Sequence, residues 1–405
     1  MGLLSRSVIT LNRERFTNPA GRIVRTPQGY EAFVPTPLPR HVELSADLVY
    51  LLSEADRSLG ELSGMARTLP NPQLLVAPLS QIEAVLSSRI EGTQASLSDL
   101  ALFEAAGDKP IAPPGDVLEV RNYRGALTYG LARVGDLPLS LRLVRELHEK
   151  LMTGVRGQDM TPGAFRTSQN WIGPPGSTLS NATYVPPPPS ELLSSLGDWE
   201  SFLHEETKLP PLVRCALMHY QFEAIHPFLN GNGRVGRLLI VLFLCTLGRL
   251  PAPVLYLSPF FEHHREDYYS LLRGVSERSA WDEWLTFFLR AIVVQCQDAF
   301  GRSSRMTSLH DDYRRRLLAA KAPPSAHNLL ERLFINPATT VKGASEQLGI
   351  TVAGADKAIQ HLCRLALLRE VTGRRRDRVY LADEIVRVIE QGRESGTDFD
   401  SRTLL

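Results

Sequence analysis

His226-Pro227-Phe228-Leu229-Asn230-Gly231-Asn232-Gly233-Arg234-Val235-Gly236-Arg237 is the stretch on which the reading of this 405-residue chain turns. Upstream, Val213, Leu217, Tyr220 and Ala224 recur at steps of three and four, which predicts a helix over Leu212 to Ile225. Pro227 disfavours the right-handed helical conformation for His226, so the helix is expected to stop there. Asn230-Gly231-Asn232-Gly233 is a dense turn signal. From Arg234 onward Val235, Leu238, Leu239 and the run from Val241 to Leu244 resume an apolar helix. The order is helix, tight loop, helix.

This order has a chemical meaning. The loop empties into a helix N-terminus, where backbone N–H groups lack partners and the helix dipole favours an anion. Gly231 and Gly233 permit positive φ and close approach, so successive N–H groups can form an anion-binding concavity. Arg234 and Arg237 share a face of the first turn, within joint reach of a polyphosphate. A lone His-Pro is usually without consequence, and Asn-Gly-Asn-Gly is most often just a turn. Two arginines where the dipole disfavours cations are a different matter, because they make sense when an anion is expected. His226, at the lip of this cradle, is the residue type best suited to take a proton near neutral pH. Phe228, between polar neighbours, is expected to point inward and pin the loop.

These residues resemble the signature of Fic-domain proteins: a His-Pro-Phe opening, Gly-Asn-Gly-Arg, then a second Arg three residues on. Fic enzymes typically transfer the AMP part of ATP to a hydroxyl side chain and release pyrophosphate. The resemblance implies that His226 is the general base and that Gly231, Asn232, Gly233 and Arg234 hold the α- and β-phosphates. It gives Arg237 the γ-phosphate. One position departs from the pattern. Where the family mostly has Asp or Glu, a carboxylate that helps hold Mg²⁺, this chain has Asn230, which offers a carbonyl oxygen without charge. Either Mg²⁺ is bound more weakly at Asn230 or the transferred group differs, UMP and phosphocholine being candidates.

The whole-chain properties set the frame. At 405 residues the chain exceeds the size at which single cores stop growing, so two or three domains are expected. A hydrophobic share of 43%, a charged share of 22% and a net charge of +1 describe ordinary soluble material and exclude a whole-chain polyanion binder. Cys215, Cys245, Cys296 and Cys363 are widely spaced, as reduced core residues are, rather than disulfide or metal sites. There is no signal-peptide pattern, and the longest apolar run, Leu238 to Leu247, is too short to span a bilayer. A cytoplasmic protein without membrane contact is the expectation.

Toward the N-terminus, residues 1–39 are rich in Pro and Gly, and Gly29 to Pro35 reads as a short strand or extended arm. Ser45 to Met65 is expected to be a helix capped by Ser45, and Leu74 to Glu91 a second helix broken early by Pro78. The end of the latter carries Ser87 and Glu91 on one face, with Gly92 placed to terminate it. In isolation that is a solvated surface face. It also resembles the inhibitory helix motif of Fic proteins, which implies that Glu91 pairs with Arg237 in place of the γ-phosphate. Carboxylate and phosphate are both bidentate partners of arginine.

Val117 to Val134 and Leu141 to Met152 read as helices. Between Gly163 and Pro189 the character changes to Gly, Pro and β-formers, with extended runs at Gln169 to Ile172 and Ala182 to Val185 about a Gly-Pro-Pro-Gly centre. The residues alone fit a hairpin or a surface loop equally. The resemblance favours a flap that docks a target's backbone by strand addition, with Trp171, Ile172, Tyr184 and Val185 as its contacts. Past the cradle helix, Ser258 to Ser276 holds His263, His264, Tyr268 and Tyr269. No third ligand has suitable spacing for a metal, and an exposed helix start is the simpler reading of the histidines. In related chains a Tyr-Tyr pair lies near the adenine, so Tyr268 and Tyr269 are candidate base contacts. Trp281 to Phe300 should close the helical core.

Gly301 to Pro324 is polar and basic and reads as a linker helix with a break. Beyond it, helices over Asn328–Phe334, Thr340–Leu348 and Val352–Leu367 precede a basic hairpin centred on Thr372 to Asp377, an order that resembles a winged helix. Lys357, Gln360 and Arg364 on the third helix, with the hairpin arginines, suit DNA phosphates; winged helices equally serve in dimerisation or protein docking. The expected architecture is mainly α, a Fic-type helical bundle with a β-hairpin flap plus a C-terminal winged helix. Its parts are an N-terminal helical region (1–110), a catalytic domain (111–300), a linker (301–324) and the winged helix (325–405). The expected function is an ATP- and Mg²⁺-dependent protein adenylyltransferase restrained by Glu91, modifying a Ser, Thr or Tyr hydroxyl of a target protein or of itself. The alternative is a nucleotide-sensing DNA-binding regulator, alone or as a homodimer, with a weak or silent Fic site.

Overall fold

In the computed structural model, residues 16, 18–68, 72–106, 114–174 and 176–392 are described. The expectations for most of 1–17, for the centre of the Gly-Pro-Pro-Gly turn and for 393–405 lie outside these. The elements begin with β1 (Gly21–Arg25), β2 (Glu31–Pro35), α1 (Ala46–Thr68), α2 (Gln73–Ile90), α3 (Leu97–Ala106), α4 (Pro114–Arg133) and α5 (Leu141–Met152). Then come α6 (Pro189–His204), α7 (Pro211–Ile225), α8 (Asn232–Thr246), α9 (Ser258–His263), α10 (Arg265–Arg278) and α11 (Trp281–Ala319). The C-terminal part holds α12 (Pro324–Leu333), β3 (Ala338–Thr340), α13 (Val341–Leu348), α14 (Val352–Arg364), β4 (Arg369–Glu370), β5 (Val379–Leu381) and α15 (Asp383–Glu390). The chain is mainly helical, as its periodicities predict.

Two stretches differ from expectation, and a third agrees with it. Pro78 does not break α2, which runs through it. A proline inside a helix costs about 3 kcal/mol, and the burial of Leu75, Ala77, Leu79 and Ile82 around it offsets that cost. Residues 301–319 continue α11 without interruption, because Met306, Tyr313 and Leu317 form a buried stripe beneath the basic surface; the break comes at 320–323. Ser258 to Ser276 holds the expected helix start at the histidines, with His264 as the N-cap of α10.

The packing forms two units, each discontinuous in sequence. The first comprises 1–57, 125–248 and 263–292. Its centre is α7, buried on nearly every side, with α6, α8, α10 and β2 against it. Indole N–H groups tie neighbours to it: Trp199 Nε1 donates to Met218 O at 3.0 Å and Trp284 Nε1 to Ala216 O at 3.1 Å. β1 and β2 pair antiparallel, Gly21 opposite Pro35, so the expected arm is the inner strand of a hairpin.

The second unit comprises 58–124, 249–262 and 293–405. α12, β3, α13, α14 and the β4–β5 hairpin follow one another, with the antiparallel strand order β3-β5-β4. Thr340 and Thr351 cap α13 and α14 through their hydroxyl oxygens. The core of this part includes Ile82 of α2 and Leu97 and Ala101 of α3 beside Leu330, Leu333, Ile359, Leu362, Ile385 and Ile389. Gln81 of α2 donates to Ile335 O at 2.9 Å.

Candidate active site

α7 ends where Pro227 requires it to. His226 takes a left-handed conformation (φ 49°, ψ 62°), and its N–H still donates to Phe222 O at 3.0 Å. That conformation costs a non-glycine residue about 1 kcal/mol, and two side chains hold it. Arg166 Nε donates to His226 O at 2.9 Å and Asn170 Nδ2 donates to the same oxygen at 3.1 Å. Arg166 also reaches Pro187 O and Ile225 O. Burial lowers its pKa to about 10, so it remains a cation at neutral pH. The His226 ring is half-buried, with Nδ1 3.3 Å from Glu223 O. A carbonyl can only accept, so Nδ1 carries the hydrogen and the neutral ring keeps its lone pair on Nε2.

The loop between α7 and α8 is closed by side chains. Phe228 is fully buried, as expected. The Asn232 amide bonds it from both sides: Oδ1 accepts from Phe228 N at 2.8 Å and Nδ2 donates to Phe228 O at 2.8 Å. Asn170 Nδ2 adds a second donor to Phe228 O at 2.8 Å. His148 of α5 stacks on the Phe228 ring with centroids 3.7 Å apart and planes 6° from parallel. Gly231 begins α8 at φ 77°, and a Cβ there would lie 2.8 Å from Met152 Sδ. Glycine is therefore required twice over at this position.

Arg234 and Arg237 lie in the first two turns of α8, only 1% and 2% exposed, so they are held by the fold rather than aimed into solvent. Arg234 Nη2 is 3.6 Å from Met152 Sδ. Behind Arg237, His219 is fully buried, its Nδ1 3.2 Å from Gly236 O and its Nε2 2.8 Å from the Tyr268 hydroxyl. Burial, reinforced by the charge of Arg237, lowers the His219 pKa to about 3. A neutral histidine leaves the local positive charge to the arginines.

Other expected site residues fall in varied places. Tyr268 is 1% exposed and bonded to His219, a core position, whereas Tyr269 is 42% exposed with the Arg265 guanidinium 5.8 Å from its ring centre. The flap is a minimal hairpin: one antiparallel bridge joins Ile172 to Tyr184, and a 3₁₀ turn, Leu179–Asn181, precedes its return. Trp171 is exposed, but Tyr184 and Val185 face inward. The Tyr184 hydroxyl donates to Ala224 O at 2.8 Å, and Val185 O accepts from Phe33 N at 2.9 Å. The return strand thus supports the end of α7 and β2. In the second unit, Gly92 (φ 95°) terminates α2 in a Schellman arrangement, with Thr93 N–H on Ser88 O and Gly92 N–H on Arg89 O. Ser87 is buried and Glu91, at the cap, half-buried.

The donor set does not fit Mg²⁺. Asn230 Oδ1, its one oxygen donor from the side chain, accepts from Gly231 N at 2.7 Å, and an amide brings no charge for a hard cation.

Residues 138–244 match the Fic/DOC family model and residues 49–132 match the Fic/DOC family N-terminal model. The chain carries a Fic domain. It is similar to proteins named protein adenylyltransferase Fic: 32% identical over 146 residues to that of Drosophila grimshawi, covering 36% of this chain and 27% of the relative. The corresponding protein of Aedes aegypti is 30% identical over 194 residues, covering 46% of this chain and 35% of the relative. The chain thus spans about a third or less of the length of these relatives. A solved structure of a Fic family protein from Desulfovibrio desulfuricans G20 has the same fold, with a TM-score of 0.54 at 19% identity, covering 84% of this chain and 97% of that one.

Three residues that shape the Fic loop carry no motif: His148, Arg166 and Asn170. His148 had a faint signal, a histidine on the face of α5 that also presents Val144, Leu147 and Leu151. Arg166 and Asn170 lie in irregular chain, where no periodicity marks an inward side chain.

Proposed function

We propose that the protein transfers AMP from ATP to a Ser, Thr or Tyr hydroxyl of a protein, its own chain included. The observation that carries this is a histidine with Nε2 left as its base nitrogen, fixed by two buried donors at the lip of a helix N-terminus whose opening turns hold two buried arginines. In the reaction His226 Nε2 takes the hydroxyl proton and the oxygen attacks the α-phosphorus of ATP. The bond to the bridging α–β oxygen breaks, and pyrophosphate leaves with the electron pair. The N–H groups at the start of α8 and Arg234 hold the α- and β-phosphates, and Arg237 the γ-phosphate. Since Asn230 is a poor Mg²⁺ ligand, no step is assigned to a protein-held metal. Trp171 and Ile172, on the more open limb of the hairpin, dock the target by strand addition.

Glu91 restrains the reaction by competing with phosphate for Arg237. Its rigid cap at the end of α2 supports this reading, since a well-held carboxylate competes better than a mobile one. Intact-mass measurement with ATP and Mg²⁺ tests both roles. Glu91→Gly should raise AMP addition, and Glu91→Gly with His226→Ala should abolish it. Persistence of addition without the histidine removes the base assignment, an unchanged rate in Glu91→Gly removes the restraint, and a different added mass reveals another phosphate-containing group.

A second reading is favoured by one observation. Lys357, Gln360 and Arg364 of α14, and Arg374, Arg375, Arg376 and Arg378 of the hairpin, are all exposed on a helix-and-hairpin module whose order resembles a winged helix. This face suits duplex DNA phosphates, and a regulator whose Fic site only senses nucleotide would use it. Such binding weakens steeply with salt; no gel shift at low salt would leave protein docking or a homodimer as the use of this face.

A further inference from the structure

His148 belongs to no motif, yet its ring meets the Fic loop at both Phe228 and Asn230. It is 1% exposed. Its Nδ1 lies 2.9 Å from Gly163 N, an obligate donor, and its Nε2 lies 3.0 Å from Asn230 O, an obligate acceptor. The two partners fix one tautomer, with Nδ1 accepting and Nε2–H donating. The ring face covers Phe228, and Cδ2 and Nε2 lie 3.6 Å from where a Cβ on Gly231 would stand. His226 and Phe228 are held by Arg166, Asn170 and Asn232, whereas His148 supplies the side-chain hydrogen bond on the Asn230 carbonyl, one residue before the left-handed Gly231.

We propose that His148 is a positioning residue for nucleotide binding, fixing through Nε2–H the bend at Asn230-Gly231 and thereby the direction of the N–H groups that open α8. This deepens the function proposed above and rests on it. The geometry explains why a histidine stands here. Phenylalanine could cover Phe228 but not bond Asn230, and a long amide could bond Asn230 but not cover Phe228. Burial and the nearby charge of Arg234 lower the His148 pKa to about 4, so the donor–acceptor polarity does not change across the neutral range.

Two amide substitutions separate positioning from mere packing, because glutamine places its N–H₂ near the imidazole Nε2 and asparagine places its amide near Nδ1. Both lose the stack on Phe228 equally. His148→Gln keeps the donor for Asn230; His148→Asn keeps only the acceptor for Gly163. ATP affinity, measured by calorimetry on the full chain, should fall about tenfold in His148→Asn, the size of one lost hydrogen bond to a placed group. It should fall no more than about threefold in His148→Gln. Equal losses in both variants, or a larger loss in His148→Gln, overturn the proposal, as does wild-type affinity in both. Should His148→Asn fail to fold, His148→Leu, which keeps neither hydrogen bond, takes its place and should show the same roughly tenfold loss beside His148→Gln, with equal affinities overturning the proposal. His226→Ala keeps the two readings apart: if it leaves AMP transfer intact the proposed chemistry fails, while the ranking of the amide variants in ATP binding still judges His148.

Discussion

Asn232 and Asn170 offer a matched test of what closes the Fic loop. Asn232→Ala and Asn170→Ala each delete the same atoms from sites that are 2% and 8% exposed, so the lost transfer energy and the cavity left behind nearly cancel between them. The hydrogen bonds do not cancel. Removing Asn170 costs His226 O and Phe228 O one donor each, yet His226 O keeps Arg166 and Phe228 O keeps Asn232. It also removes Asn170 Oδ1, a buried oxygen without a partner among the described residues. Removing Asn232 leaves Phe228 O with Asn170 but strips Phe228 N–H, inside the core, of its acceptor. A buried orphaned donor costs about 1–3 kcal/mol and a satisfied bond about 1 kcal/mol. Asn232→Ala should therefore destabilise by about 2–4 kcal/mol and Asn170→Ala by about 1 kcal/mol. For a unit of this size, each kcal/mol lowers Tm by about 2–4 °C. Urea denaturation followed by tryptophan fluorescence gives the difference directly. If Asn170→Ala costs as much as Asn232→Ala, the account of the loop as a hierarchy of backed-up and sole contacts is wrong.

Two further outcomes follow from the same site. His148 and His219 have native pKa values of about 4 and about 3, against roughly 6.5 unfolded, so between those limits the unfolded chain binds more protons and stability falls as pH falls. Each should contribute a loss of about 2 kcal/mol by pH 5, visible as a lower Tm at pH 5 than at pH 7; His148→Phe should flatten that slope, and an unchanged slope would place the acid sensitivity elsewhere. Gly231→Ala brings a Cβ to 2.8 Å from Met152 Sδ at φ 77°. Strain of about 1 kcal/mol and overpacking of about 1–3 kcal/mol should add. Measured against Met152→Ala alone, which empties a buried site, Gly231→Ala should cost only the strain, and no remaining cost in that background would show that the backbone angle matters little.

Much of this was legible in the sequence because local signals and the fold agree. The α7–loop–α8 order, the inward Phe228 and the end of α2 at Gly92 each follow from one dominant rule: periodicity, the residue before proline, or glycine at a helix end. Pro78 and the run 301–319 read differently because tertiary burial overrides a local breaker and a polar surface. The strand β3, three residues long, is too short for alternation to register. Tyr268 and Tyr184 look like contact residues by type, yet the fold uses each as a core tyrosine with its hydroxyl satisfied. Arg166 and Asn170 were silent and His148 nearly so, because the partners that define their roles lie 56 to 82 residues away in sequence, beyond any local pattern.

The apolar layer shared by α2, α3 and the helices after α11 has a practical consequence. Ile82, Leu97 and Ala101 have their shelter in Leu330, Phe334, Ile385 and Ile389. A chain shortened to end at α11 would hand those side chains to water and loosen α2, whose C-cap is Glu91, so trimming the C-terminus would bear on the restraint proposed for that carboxylate as much as remove an appendage.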